Sequence, residues 1–415
     1  MSLRPNDTVS LTIDKPAAGG RMIARLDGQV VLVAGALPGE RVTARIERVA
    51  RAVVFADAIA IDEASPDRRA PFADPLCGGC TYSHIAYPRQ LEIKQQVIAD
   101  AFARIGRVVL PAPVPVAASP EEGYRMRARL HVQGRRIGFF REGSHEVCDA
   151  RQTRQLLPAT CDALDGVMAV VRSLGGEIVR GIELSENVDA TARVVHADTA
   201  QPLERRTLEA LVSGAGLTAG PYVSDTIAIG DRALTLRRHV RSFFQGNRFL
   251  LRDLVQHVVD RVPPAGAIAD LYAGVGLFAV AAAGRGASVV AVEGDRFAAD
   301  DLQANAAAVG GSIVARRGAV EPIVRELGAS GRAAAARFDA VIVDPPRTGL
   351  SPEALEAIVQ LAAPRLVYVS CDVATLARDT RRIVDAGYAI DRVDAFDLFP
   401  NTPHVETVVA FTRTQ

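Results

Sequence analysis

From Phe249 to the C-terminus, short apolar runs rich in β-branched residues alternate with helical patterns, and each run ends in small or polar residues. A helical stretch at 248–261 precedes the run Ala267-Ile-Ala-Asp-Leu-Tyr272, and Gly274-Val-Gly276 and a second helical stretch follow. Ser288 to Glu293, Asp339 to Asp344 and Leu366 to Val369 repeat the pattern. Fully apolar strands alternating with helices predict a parallel sheet covered on both faces, the doubly wound α/β class. Ligands of such sheets sit in the crevice outside the carboxyl ends of the strands.

The rest of the chain predicts different architecture. Residues 6–62 alternate apolar and polar in short runs, such as Val9 to Ile13, Gly28 to Val33 and Arg41 to Ile46. Turn chemistry at Gly19-Gly20, Asp27-Gly28 and Leu37-Pro-Gly-Glu40 separates them, which predicts a small β-barrel of the OB type. Gln90 to Ile105 carries an apolar stripe at helical spacing. Strand-like pieces follow between Tyr124 and Ile227, giving a mixed α+β region. The reading is therefore three units: a barrel at 1–62, a central region at 63–240 whose helix 88–106 packs on the next unit, and an α/β unit at 241–415. The alanine run 333–336 reads as helix surface or linker.

Net charge is zero, so a nucleic-acid partner must be argued from local clusters. Two exist: Arg125, Arg127 and Arg129, then Arg237, Arg238, His239 and Arg241. Basic residues at alternate strand positions share a face suited to phosphates, or are simply solvated surface charges. No run approaches the roughly 18 apolar residues of a membrane span, and the N-terminus does not open as a signal peptide. Five cysteines without a leader predict reduced thiols in a cytoplasmic protein.

Three constellations carry chemistry. Cys371 ends the strand at 366–369, where a thiolate would reach a substrate as a strong nucleophile; a space-filling cysteine is the plain alternative. Gly274 and Gly276 let the backbone approach a ligand at a helix N-terminus, and Glu293 ends the next strand, where a carboxylate accepts ribose hydroxyls. One Gly-x-Gly, without the third glycine of the dinucleotide fingerprint, favours a nucleoside cofactor lacking a pyrophosphate, such as S-adenosylmethionine. Cys77-Gly-Gly-Cys80 has the spacing of half a metal or iron–sulfur site, or of a redox pair, and Cys148 and Cys161 add no second short spacing.

The ordered motifs SFFQGN (242–247), DLYAGVG (270–276), VEGD (292–295), DPPRTG (344–349), SCDVATLARD (370–379) and DLFPNTPHVE (397–406) resemble the RNA 5-methyluridine methyltransferase family. The barrel resembles a TRAM domain, and CGGC is similar to the iron–sulfur members acting on 23S ribosomal RNA. The resemblance implies a Rossmann-like methyltransferase domain and a monomeric, cytoplasmic RNA-modifying enzyme. It implies Cys371 as the nucleophile that adds to carbon 6 of a uracil, and Glu406 as the acceptor of the carbon 5 proton. It also implies that Gln245, Tyr272, Gly274, Gly276, Glu293 and Asp344 hold S-adenosylmethionine, with Cys77 and Cys80 as candidate cluster ligands.

The chain departs from the family at Asp372-Val373, where Asn-Pro is usual, at Ser83, where Gln is usual, and at Pro71 and Thr153, near which the iron–sulfur members carry their other cysteines. A carboxylate at 372 raises the thiol pKa unless a cation offsets it. The competing readings are a transfer-RNA uridine methyltransferase, an exocyclic-amine methyltransferase using Asp344-Pro-Pro-Arg347, and an RNA-binding homologue without turnover.

Overall fold

The computed structural model describes residues 3–174, 178–213, 216–333 and 338–414. Most of the alanine run at 333–336 lies outside them.

Five strands, Thr8–Pro16, Met22–Leu26, Gln29–Ala34, Arg41–Val49 and Val53–Glu63, form a closed barrel in the order first, second, third, fifth, fourth. Alternation closes it: Val42, Ala44 and Ile46 point inward while Arg41 and Arg45 face outward. Asp27 and Gly28, both at positive φ, make the tight hairpin between the second and third strands. Glu40 is fully buried; Arg68 donates to its carboxylate at 2.6 and 2.7 Å and the Leu37 amide at 2.8 Å. That pairing ties the barrel to the segment that follows it.

The central sheet is antiparallel, in the order Arg193–Thr199, Val179–Glu186, Arg127–Gln133, Arg136–Phe140, Val147–Asp149. Helix Pro158–Ser173 packs its apolar side, including Cys161, against it. The hairpin Tyr222–Ile229/Arg232–His239 is separate and buries Ile227, Leu234 and Leu236 in the core of the C-terminal unit. A sequence-based boundary near 240 cannot register this, because strand alternation does not say which core the strand serves.

The C-terminal sheet has eight strands in the order Ile313–Arg317, Ser288–Glu293, Ala267–Leu271, Ala340–Val343, Arg365–Ser370, Glu406–Arg413, Tyr388–Phe396, Val116–Ala117. Its first five strands are parallel, and Glu406–Arg413 runs antiparallel between its two neighbours. Strand order reverses at Ala267–Leu271, which marks the switch point and therefore the crevice. Apolar clusters cover both faces, as near-continuous apolar strands require. Helix Tyr87–Ala101, continued by a π-helical turn to Gly106, joins one of these clusters through Ile98, Ala101 and Phe102.

Candidate active site

A cavity of about 540 Å³ opens at the switch point. Gln245, Tyr272, Gly274, Glu293, Asp344, Cys371 and Glu406 all line it. Gly276 stands just behind: its φ of 92° and the Leu302 side chain, 2.8 Å from where a Cβ would lie, make any larger residue strained there. Gly274 also sits at positive φ, and its amide donates to Glu293 Oε2 at 2.8 Å. The Asp295 amide donates to Glu293 Oε1 at 2.6 Å, so the carboxylate is fixed with lone pairs left over. Asp295 then caps the next helix, accepting from the amides of Phe297 and Ala298. Gln245 donates to Asp344 Oδ2 at 3.2 Å. These carboxylates, the amide and the glycine turn fit the hydroxyls and sulfonium of S-adenosylmethionine.

The reacting end is set by strand register. Arg365–Ser370 and Glu406–Arg413 pair antiparallel with Ser370 opposite Thr407, so one step further along the ladder lie Cys371 and Glu406. Thirty-five positions apart in the chain, the thiol and the carboxyl both line the cavity just beyond that last pair, near enough for the Glu406 charge to act on the thiol.

Burial disfavours the charged form of both groups. Burial pushes the Cys371 thiol up to about 12, with the Glu406 charge adding to the rise and Arg347 opposing it by hydrogen bond and charge. Burial likewise raises Glu406 far above a free carboxylate, with the Asp344 charge next and Arg347 again opposing. Asp344 is raised too, by burial first, while Gln245 pulls it back. Asp372, whose carboxylate threatened the thiol, turns to the helix behind it: it accepts from the Thr375 amide at 2.8 Å as the N-cap of Val373–Asp385. The offsetting cation is Arg347, from the Asp344-Pro-Pro-Arg loop, whose role the motif did not disclose.

Arg125, Arg127, Arg241, Phe243 and Phe399 rim the same cavity, with Phe243 59% exposed. The first basic cluster thus divides, since Arg129 stands on the surface with Asp198 3.8 Å away. The second cluster corrects the sequence reading further: Arg238 is fully buried and donates to Asp225 at 2.6 Å, to Ser185 Oγ and to the Glu186 carbonyl. Strand alternation put it inside, where it is a structural ion and no phosphate contact.

The CGGC segment also departs from expectation. Cys77 is bonded to Cys148, where reduced thiols were expected, and Cys80 is buried beside them with its thiol on the Asp74 carbonyl. Pro71 supplies no donor, and the Thr153 hydroxyl is spent on the Ala150 carbonyl at 2.7 Å. Among the described residues no group of three or more His, Cys, Asp or Glu could hold a metal ion. These residues do not fit a four-thiolate iron–sulfur centre.

A Rossmann-like sheet with a Gly-x-Gly turn, an acidic strand end and a ligand crevice at its switch point is the frame of a nucleoside-cofactor enzyme, and its relatives make it an S-adenosylmethionine-dependent methyltransferase. Residues 217–414 match the tRNA (uracil-5-)-methyltransferase family model and residues 3–59 the TRAM domain. The chain is 33% identical to the 23S rRNA (uracil(1939)-C(5))-methyltransferase RlmD of Pseudomonas putida, covering 97% of this chain and 93% of that protein. It is 30% identical to an uncharacterized RNA methyltransferase of Thermotoga maritima over 97% of this chain and 98% of that one. The crystal structure of Pyrococcus abyssi tRNA (uracil-54, C5)-methyltransferase with S-adenosyl-L-homocysteine is similar with a TM-score of 0.74 and 25% identity, covering 97% of this chain and 99% of that one. The chain belongs to the RNA uracil-C5 methyltransferase family, and its N-terminal barrel is a TRAM domain.

Proposed function

We propose that this enzyme methylates carbon 5 of a uridine in 23S ribosomal RNA by covalent catalysis, acting as a cytoplasmic monomer. Two relatives of near-full length, each 33% identical, carry ribosomal names, whereas the transfer-RNA enzyme is 25% identical. The observation that carries the covalent reading is that Cys371 and Glu406, just beyond the last paired residues Ser370 and Thr407, line one cavity ringed by Arg125, Arg127 and Arg241. No helix among the described residues is long and apolar enough to cross a membrane.

S-adenosylmethionine supplies the electrophilic methyl group, and Gln245, Tyr272, Gly274, Gly276, Glu293 and Asp344 are the residues that would hold it. Carbon 5 of a uracil is a poor nucleophile. The Cys371 thiolate adds to carbon 6, the carbon 5–carbon 6 double bond opens to an enolate, and carbon 5 takes the methyl group as its bond to sulfur breaks, the electron pair staying on the sulfur of the departing S-adenosylhomocysteine. Glu406 accepts the proton left on carbon 5, and the electron pair released reforms the double bond and expels the Cys371 thiolate. The target base must leave its stack to enter the cavity, so the arginines and Phe243 at the rim hold the neighbouring nucleotides.

Mass spectrometry of ribosomal and transfer RNA from a deletion strain tests the assignment. One 5-methyluridine missing from 23S RNA is expected; loss from transfer RNA alone overturns it.

A further inference from the structure

The helix from Tyr87 to Gly106 lies outside the α/β stretch of the sequence, yet it touches both elements that carry the reacting groups. At its far end Gly106 packs on helix Val373–Asp385, with the Ala377 carbonyl 2.9 Å from where a Cβ would stand. At its near end it holds the turn that leads into Glu406. Lys94 Nζ donates to Asp397 Oδ1 at 2.5 Å and to the Phe399 carbonyl at 3.2 Å, spanning the start of that turn. Gln90 closes the other side: its Nε2 donates to Asn401 Oδ1 at 2.9 Å, and its Oε1 accepts from the Asn401 amide at 2.9 Å. Asn401 itself sits at positive φ, 62°, a conformation that needs such support.

Lys94 and Asp397 are 1% and 0% exposed. A buried ion pair is poor value as a source of stability, because two desolvated charges repay their cost only through good geometry. Its use here is geometric. An ammonium that grips one carboxylate and a carbonyl two residues on sets the path of the turn, and the chain then has six residues to reach Glu406.

We propose that Lys94 is a positioning residue for Glu406, fixing through Asp397 and Phe399 the turn that places the carboxyl in one cavity with Cys371. The proposal rests on the reading of Glu406 as proton acceptor. It separates two steps of the reaction: addition of the thiolate and methyl transfer need Cys371, whereas elimination needs Glu406 in place.

The test is the double variant Lys94→Met/Asp397→Leu, which replaces the pair with apolar groups of similar volume. S-adenosylhomocysteine binding by calorimetry gives the folded fraction, and all rates are expressed per binding site. Two substrates are compared: a ribosomal RNA fragment, and the same fragment with 5-fluorouridine, whose carbon 5 offers no proton to remove. We expect adduct formation on the fluorinated RNA within about threefold of wild type, turnover on normal RNA lowered at least about tenfold, and adduct accumulating on a denaturing gel. Equal losses on both substrates, or no loss on either, overturn the proposal. Gln90→Met, which leaves the ion pair intact, should give the same split at smaller size and carries the test if the double variant folds poorly. Failure of Glu406→Gln to accumulate adduct would instead overturn the role of Glu406 itself.

Discussion

Two corners of the molecule carry the cysteines that chemistry would single out, and they differ in what surrounds the sulfur. Cys371 ends a strand of the parallel sheet and opens onto a cavity with Arg347 and Glu406 beside it. Cys80 lies in a loop corner, closed over by Phe139 and Phe72 next to the Cys77–Cys148 bond. Burial pushes both thiols up to about 12, so acidity does not distinguish them. Access and an adjacent cation do: Arg347 opposes the rise at Cys371, whereas at Cys80 the nearby charge is the anion of Asp74 and adds to it. On the proposed mechanism Cys371 differs from Cys80 in its opening to the cavity and in a cation that favours its thiolate.

Breaking the first corner should have the largest effect. Cys371→Ala is expected to reduce methyl transfer to the assay floor while S-adenosylhomocysteine affinity by calorimetry stays at the wild-type value; activity surviving the change would favour amine chemistry through the Asp344-Pro-Pro-Arg347 loop. Glu406→Gln should still form the bond to RNA and fail to release it. A slow-migrating protein–RNA band on a denaturing gel is the readout, and its absence would remove Glu406 from the elimination step.

Arg347→Met should come next, lowering the rate about 10- to 100-fold near neutral pH, because the thiol loses the cation that favours its ionised form. The sign follows from the neutral thiol: with a pKa near 12, the thiolate fraction, and with it the addition rate, climbs about tenfold per pH unit through the neutral range. Without the cation the rising limb of the pH–rate profile moves to higher pH, so the deficit is constant along the limb. A deficit of the same size persisting on the plateau, where the thiol is ionised in both proteins, would show that Arg347 acts on something else.

The smallest effect on activity is expected at the second corner. Cys148→Ser should leave methyl transfer within about twofold of wild type, and lower stability under non-reducing conditions by about 2–4 kcal/mol in a denaturant titration. With reductant present the difference should shrink to that of a buried Ser for Cys. A methylation defect as large as that of Arg347→Met would mean that the two corners are mechanically coupled.

Much of the α/β unit was legible locally. Apolar β-branched strands, the Gly-x-Gly turn, and Glu293 and Asp344 at strand ends belong to stretches of a few residues whose periodicity is visible without neighbours. The barrel was legible for the same reason, through alternation and turn residues. What alternation could not tell was which side of a strand faces which partner. Arg238, in a cluster whose pattern suits either phosphates or solvated surface charges, is sealed against Asp225, Ser185 and the Glu186 carbonyl. The hairpin at 222–239 looked central and packs with the α/β core. Cys148, seventy-one residues from Cys77, showed no spacing at all.

The sequence by itself determined the elements of this enzyme and the chemical character of its motifs, because propensity, periodicity and turn chemistry act over a few residues. Only the tertiary structure decided that the last strand runs antiparallel and brings Glu406 into one cavity with Cys371, that Arg347 reaches the thiol, and that Lys94 grips the turn before Glu406. Those are pairings across tens to hundreds of residues. They are fixed by strand register and by the burial of charges that must find partners, and neither leaves a mark in the local pattern of the chain.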